Sequence, residues 1–359
     1  MAYTTIDDPS AHFITTLYAG NGSDDRSITN DANAGNFKPD WLWIKNRSST
    51  NGHALVDTTR GATKVIRSNV TNAEETEANG IQAFETNGFQ IGTSGLVNTS
   101  SNNYVAWQWK ANGGTTSSNT DGSITSTVQA NTTAGFSIVT YTSNNTEGAT
   151  IGHGLNSAPE IVIIKGRESA DNWPVFNGTS TTNSRSLHLE ENAAEIPVSS
   201  YNFWNLYWDE TRPSSTVVTL GVDAKVNKSG GEGFVAYCIH SVQGYSKIGK
   251  YTGNFNTNGT FVYTGFKPAW LLIKATDRAA KWFLWDNKRE PSNLMDSVMV
   301  PNESEVENTD TAFNMDFLSN GFKLRNNFSD LTANGENFLY IAFAEHPFVS
   351  SKGVPVTAR

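Results

Sequence analysis

Cysteine is almost missing from this chain of 359 residues. Cys238 stands alone, which excludes an intrachain disulfide framework and any cysteine-based zinc site. Long apolar runs are missing too. Runs such as Ile161 to Ile164 and Ala269 to Ile273 fall far short of the ~20 residues that a membrane-spanning helix requires. Basic charge is in deficit, with 26 Lys and Arg against 35 Asp and Glu, so the formal net charge is −9. A nucleic-acid binder needs a basic face to displace counterions from phosphate, so that role is excluded. The N-terminus has no basic-then-apolar leader: the first Arg is Arg26 and the first Lys is Lys38. Helical periodicity is scarce, and its best candidates, Ala73 to Ala83 and Pro301 to Val306, are short and polar. What fills the chain is Asn, Ser, Thr and Gly, including 39 Asn and 30 Gly.

Within that polar background one pattern returns three times. The anchor Phe37-Lys38-Pro39-Asp40-Trp41-Leu42-Trp43-Ile44-Lys45 reappears as Phe266-Lys267-Pro268-Ala269-Trp270-Leu271-Leu272-Ile273-Lys274, and more weakly as Ala158-Pro159-Glu160-Ile161-Val162-Ile163-Ile164-Lys165. Each lysine falls six residues after its proline. Upstream of each anchor lies a strand with a tyrosine, Tyr18, Tyr141 or Tyr251. Downstream, Asn87-Gly88-Phe89 and Asn320-Gly321-Phe322 mark a turn and strand, replaced in the second copy by Val217 to Leu220. An aromatic strand around an alanine closes each copy, at Ala106, Ala236 and Ala342. Proline suits the first position of a strand, because it lacks an amide hydrogen and keeps its predecessor extended. The apolar residues that follow occupy both parities, as in a strand covered on both faces.

These features predict an all-β protein: three tandem antiparallel β-sandwich modules of jelly-roll or concanavalin-like type. The expected divisions are 1–110, a Ser/Thr/Asn/Gly-rich linker at 111–134, a divergent second module at 135–243, a third at 244–348, and an unpacked tail at 349–359. The linker is expected to be extended or to lie along a neighbour. Modules two and three, with almost no spacer between them, are expected to touch.

Catalytic patterns are absent from the sequence. The six histidines show no ligand spacing, and no Gly-rich phosphate loop leads from a strand into a helix. Acidic clusters such as Glu74-Glu75-Glu77 and Glu303-Glu305-Glu307 read as solvated, and Asp57, Asn177 and Asp286 as turn residues. No catalytic, cofactor or metal residues are therefore assigned. Aromatic residues carry more information. Most occupy repeat-equivalent strands and read as core, Trp282 and Trp285 among them. Tyr201, Phe203, Trp204, Tyr207 and Trp208 occur in the second copy alone, interleaved with Asn and Asp. They suit either sugar stacking and subunit contact or local core.

The opening Met1 to Ser10, the Tyr-x-Gly-Asn-Gly of Tyr18 to Gly22, the stretch Gly265 to Lys274 and the ending Ala344-Glu345-His346-Pro347-Phe348 resemble a repeat of virion structural and tail-fibre-like proteins of tailed phages, marine and cyanobacterial ones especially. A looser similarity is to concanavalin-like sandwiches. The resemblance implies a non-enzymatic virion protein without cofactor or membrane insertion. Its implied partners are other virion proteins, copies of itself and host cell-surface polysaccharide. It leaves open a fibre or adhesin role, a decoration or connector role and, more remotely, glycan cleavage.

Overall fold

The computed structural model describes residues 2–181, 186–195 and 207–356. It is all-β, with antiparallel pairing throughout the named strands and no closed sheet. Among the described residues the α-helices are two four-residue turns, Ala224–Asn227 and Ser329–Thr332, and no helix is long and apolar enough to cross a membrane. Neither helical candidate is helical. Ala73 to Ala83 contains strand Glu75–Thr76 and the start of strand Ile81–Glu85, and Pro301 to Val306 is turn and coil.

Four strands recur in each unit, in the order first, closing, anchor, return. In unit one they are Phe13–Ala19, Asn103–Trp109, Trp41–Asn46 and Ala54–Asp57. Unit two uses Phe136–Thr142, Gly233–Ile239, Ile161–Gly166 and Pro174–Asn177. Unit three uses Ser246–Thr252, Asn337–Pro347, Phe266–Ala275 and Trp282–Asp286. A smaller outer sheet accompanies each: Arg26–Thr29, Gly88–Ile91 and Ile81–Glu85; Ala149–Gly152 and Val217–Leu220; Phe261–Tyr263, Gly321–Leu324 and Met315–Leu318. Val217–Leu220 thus stands where the Asn-Gly-Phe strands stand in the other units. The repeated tyrosines are structurally equivalent. Tyr18, Tyr141 and Tyr251 stack on Tyr104, Phe234 and Phe338 at 5.1, 5.2 and 5.0 Å. Their hydroxyls donate to the carbonyls of Val97, Val226 and Leu331 at 2.9, 2.7 and 2.7 Å.

The strand register corrects one sequence landmark. Trp41 faces Trp109, Ile161 faces Ile239 and Trp270 faces Phe343. Ala106 and Ala236 therefore correspond to Tyr340, two residues before the Ala342 that the motif suggested. An even slip keeps every side chain on its face, so the pattern alone cannot detect it.

Both parities of the anchor strands are apolar because the two faces enter different cores. Leu42 and Ile44, Val162 and Ile164, and Leu271 and Ile273 each pack beneath their own unit's outer sheet. The alternate residues, Trp41 and Trp43, Ile161 and Ile163, and Trp270 and Leu272, meet in one central cluster built by all three units. There Trp41 stacks on Tyr237 at 4.4 Å, and Phe13 on Phe343 at 5.4 Å.

The units close a ring. Glu74 N donates to Arg167 O (2.7 Å), Glu195 N to Thr276 O (2.9 Å) and Glu307 N to Arg47 O (3.1 Å), linking one to two, two to three and three to one. A second cyclic set runs the other way. Trp173 Nε1 donates to Val70 O, Trp282 Nε1 to His188 O, and the equivalent His53 faces Val300 O, each at 3.0 Å. Because Trp43 Nε1 donates to His53 Nδ1 (2.9 Å), Nε2 carries the proton toward Val300. Burial holds His53 well below the usual imidazole range, so it stays neutral.

Residues 111–134 lie along a neighbour, as expected of the linker, and pair into its sheet. Ser117–Asn119 and Ser126–Asn131 extend the unit-two sheet beside its first strand, and Ile124 and Val128 are buried. Backbone pairing and two alternating apolar anchors order a segment whose composition alone lacks the apolar area to do so. The tail also docks. Val349 pairs with Pro355, and Ser351 N donates to Asp7 Oδ1 at 2.6 Å, tying the C-terminal hairpin to the N-terminal segment.

Candidate ligand-binding surface

Of the five aromatic residues singled out in the second unit, Tyr201, Phe203 and Trp204 lie outside the described residues. Tyr207 and Trp208 are buried in the outer core of unit two rather than presented to a ligand. Trp208 meets Phe176 edge-on at 5.5 Å, and the Tyr207 hydroxyl sits 3.2 Å from His188 Nε2. Interleaving with Asn and Asp marks an amphipathic stretch, but which face it buries is decided by the sheet above it.

Asp57 and Asp286 are turn residues, as expected, since their Oδ1 atoms accept the amides of Thr59 and Arg60, and of Lys288 and Arg289. Their other oxygens make buried seams. Asp57 Oδ2 binds Arg60 Nε at 2.5 Å and accepts the Tyr237 hydroxyl at 2.8 Å. Asp286 Oδ2 binds Arg289 Nε at 2.5 Å and accepts Trp107 Nε1 at 2.9 Å. Glu74 bridges Arg60 and Arg167 at 3.0 and 2.9 Å, and Glu307 bridges Arg289 and Arg47 at 2.9 and 2.7 Å. These two acids are therefore not part of a solvated face. The third seam replaces the whole set together: Asn177 and Ser180 hold Glu195, Thr276 stands for the arginine, and Ile341 for the ring donor. These groups are committed to assembly and offer no catalytic pair.

The repeated lysines are fully buried. Lys45 Nζ donates to the carbonyls of Asn46 and Ser49, Lys165 to those of Thr71, Ser169 and Asp171, and Lys274 to those of Asn192, Ala275 and Ala280. Thr71 and Asn192 belong to the preceding unit. Burial pushes all three ammonium groups down to about 8. An unfolded lysine keeps its proton to about 10.5, so above pH 8 the unfolded chain binds more protons and stability rises with pH. The thermal midpoint should climb from pH 7.5 to 9, a direction opposite to ordinary alkaline loss. Lys165→Met should remove about a third of that climb, measured by calorimetry in matched buffers. Above pH 9 the buried Cys238 thiol, pushed up to about 12, works the other way.

His188, Glu190 and Glu191 are the group among the described residues whose ligand atoms converge within 4.8 Å. All are engaged. His188 Nδ1 lies 2.9 Å from Glu191 Oε2, Asn172 Nδ2 donates to both glutamates, and Trp173 N donates to Glu190 Oε2 at 3.0 Å. The set reads as a hydrogen-bonded clasp at the end of a strand.

Unit three carries the open surface. Phe255, Phe261 and Tyr263, respectively 51%, 44% and 54% exposed, are the strongly exposed aromatic side chains among the described residues. Strand Phe261–Tyr263 forms the edge of its outer sheet. Tyr263 pairs with Gly321, and Gly321 with Leu318 on the next strand. A Cβ on Gly321 would meet Val262 O at 2.0 Å, so this position must stay bare. Beside Leu318 opens a cleft of about 600 Å³, lined by Lys267, Asn287, Glu290, Ser292, Phe317 and Glu345 among others. Glu345 pairs with Lys267 at 2.6 Å, and Glu290 Oε2 accepts the amides of Asp296 and Ser297 at 2.7 and 2.8 Å. Sequence reasoning missed this face because Phe261 and Tyr263 alternate like any half-buried strand, and only the edge position exposes them.

No curated protein and no solved structure matches the chain. A family model described as "Domain of unknown function (DUF7483)" matches residues 8–347, a span that takes in all three units and every seam between them. The chain belongs to that family.

Proposed function

We propose that this protein is a non-enzymatic structural component of a tailed-phage virion, exposed on the particle, whose third unit contacts host surface glycan. The observation that carries the reading is the concentration of exposed aromatic rings on unit three, where among the described residues the other large rings are mostly buried. Aromatic faces beside polar groups suit stacking on sugar rings. Two further features support it. The closed ring joins three units into one body stable without a disulfide, which suits a particle exposed outside a cell. Both cleft carboxylates are already engaged, Glu345 in an ion pair with Lys267 and Glu290 by backbone amides, which suits holding rather than cleaving. In the same reading each unit, inner sheet plus outer sheet, is an antiparallel β-sandwich of jelly-roll or concanavalin-like kind, and the partners are other virion proteins and copies of itself.

Competition tests the proposal. Purified protein should block phage adsorption to host cells in a dose-dependent way, and the double variant Phe261→Ala, Tyr263→Ala should need about tenfold more protein for the same block. Absence of competition, with unstable particles when the gene is deleted, would assign the protein to decoration instead. Release of reducing sugar, abolished by Glu290→Gln or Glu345→Gln, would make it an enzyme.

A further inference from the structure

We infer that the cleft of unit three is a binding subsite for a neutral saccharide; this rests on the glycan-contact reading and names its residues. The argument starts from the position just before each anchor strand. In unit one Asp40 Oδ2 accepts the amides of Ala111 and Gly113 at 2.7 and 2.8 Å, and Lys38 donates to Gly113 O. In unit two Glu160 Oε2 accepts Ser241 N at 2.6 Å. In both, a carboxylate pins the chain that leaves the closing strand, and that chain covers the end of the sheet. Unit three has Ala269 there. Its outgoing chain turns away into the C-terminal hairpin, and Val356 becomes part of the cleft wall.

One side chain that lines the cleft makes no hydrogen bond to the described residues. Asn287 follows Asp286 as Thr58 follows Asp57. Thr58 is satisfied, since its hydroxyl donates to Asp40 Oδ1 at 3.1 Å and accepts Gln129 Nε2 at 2.8 Å. Asn287 is only 8% exposed, its backbone amide donates to Ala269 O, and its side-chain amide makes no hydrogen bond among the described residues. What exposure it keeps is into the cleft that it lines. Its amide atoms are open to the cleft and bound to no described protein group, so a ligand that both donates and accepts can take them.

Sugar hydroxyls have that dual character. Residue 269 carries no carboxylate to hold main-chain amides as in the other units, and Glu290 Oε2 is already taken by two amides of its own loop, which disfavours a peptide. Charge selects further: the lining holds Glu290 and Glu345 against Lys267, which Glu345 already pairs, so an acidic sugar would be repelled. Apolar contact comes from Phe317 and Leu318, and from Leu318 the row through bare Gly321 ends at Tyr263 on the sheet edge, about 10 Å away at ordinary strand spacing. A short oligosaccharide can occupy the cleft with one ring and stack another on Tyr263.

The test uses the full chain with lactose, cellobiose, diacetylchitobiose, digalacturonic acid and a peptide copying residues 111–119, read by saturation-transfer NMR and titration calorimetry. A neutral disaccharide should bind, digalacturonic acid should not, and Asn287→Ala and Ser292→Trp should each weaken binding by about tenfold or more. Ser292 is exposed on the rim, so its replacement blocks the cleft without touching the core and decides the matter if Asn287→Ala does not fold. Neutral-sugar binding that both variants leave within about twofold overturns the cleft assignment while the glycan reading stands. Binding of the peptide alone overturns it in favour of protein docking. No sugar binding, with adsorption still blocked by the protein, overturns the cleft alone; no sugar binding and no block overturns both.

Discussion

Expressed by itself, unit three (residues 244–348) is expected to show no cooperative unfolding transition. Its inner face contributes Ile248, Trp270, Leu272, Trp282, Leu284, Met299, Leu339, Ile341 and Phe343 to the central cluster. In isolation those side chains would meet water, at ~1.5–3 kcal/mol each. The sum, roughly 13–27 kcal/mol, matches or exceeds the roughly 5–15 kcal/mol by which whole domains are stable. Seam bonds are lost as well: Trp282 Nε1 and Lys274 Nζ would each lose a carbonyl from unit two. Thermal melting followed by circular dichroism, with a dye for exposed apolar surface, checks this. The intact chain should melt in a single calorimetric transition. A sharp, reversible melt of the isolated unit would show that the units are independent and that the shared cluster contributes little.

Asp57→Ala should destabilise the intact chain by about 3–5 kcal/mol, as expected when one partner is removed from a buried ion pair. The side chains of Asp57 and Arg60 are fully buried. Without the carboxylate, the guanidinium keeps only Glu74 as a charged partner, the Tyr237 hydroxyl loses its acceptor, and the amides of Thr59 and Arg60 lose their cap. Because Tyr237 belongs to unit two, the damage crosses the seam. Urea denaturation measures the loss. Asp286→Ala at the seam with unit one should behave alike, leaving Arg289 charged and Trp107 Nε1 without its acceptor. Removing charge in pairs should cost less than the separate changes added together, since Asp286→Asn with Arg289→Ser copies the pairing of Asn177 and Ser180. A loss below about 1 kcal/mol for Asp57→Ala would mean that water reaches the pair.

The triple repeat, the β class and the order of landmarks were legible because each leaves a local mark. A proline precedes the anchor strands Trp41–Asn46 and Ile161–Gly166, with a bulge at Pro268 in the third. Alternation distinguishes strand from helix, and Asn-Gly turns separate the strands. Even the two-sided burial of the anchors was visible. What covered their second face was not, because a tryptophan buried under its own sheet and one buried against another unit look the same in a linear string. The same limit hid Glu74, which in sequence differs little from Glu75 and Glu77 yet closes a buried seam.

Sequence alone determined that this protein is built from strands, three times over, without disulfide, metal cysteines or a long apolar helix, since composition and period-two patterning are properties of single segments. Tertiary structure decided that the copies form a ring around one shared core, that Lys45, Lys165 and Lys274 sit in cages of carbonyls, and that among the described residues the strongly exposed aromatic rings and the cleft near them fall to unit three. Those outcomes depend on which faces meet across more than a hundred residues of chain, and on where the chain leaving each closing strand goes. Burial, not residue type, assigned Tyr207 and Trp208 to the interior and Phe261 and Tyr263 to the surface.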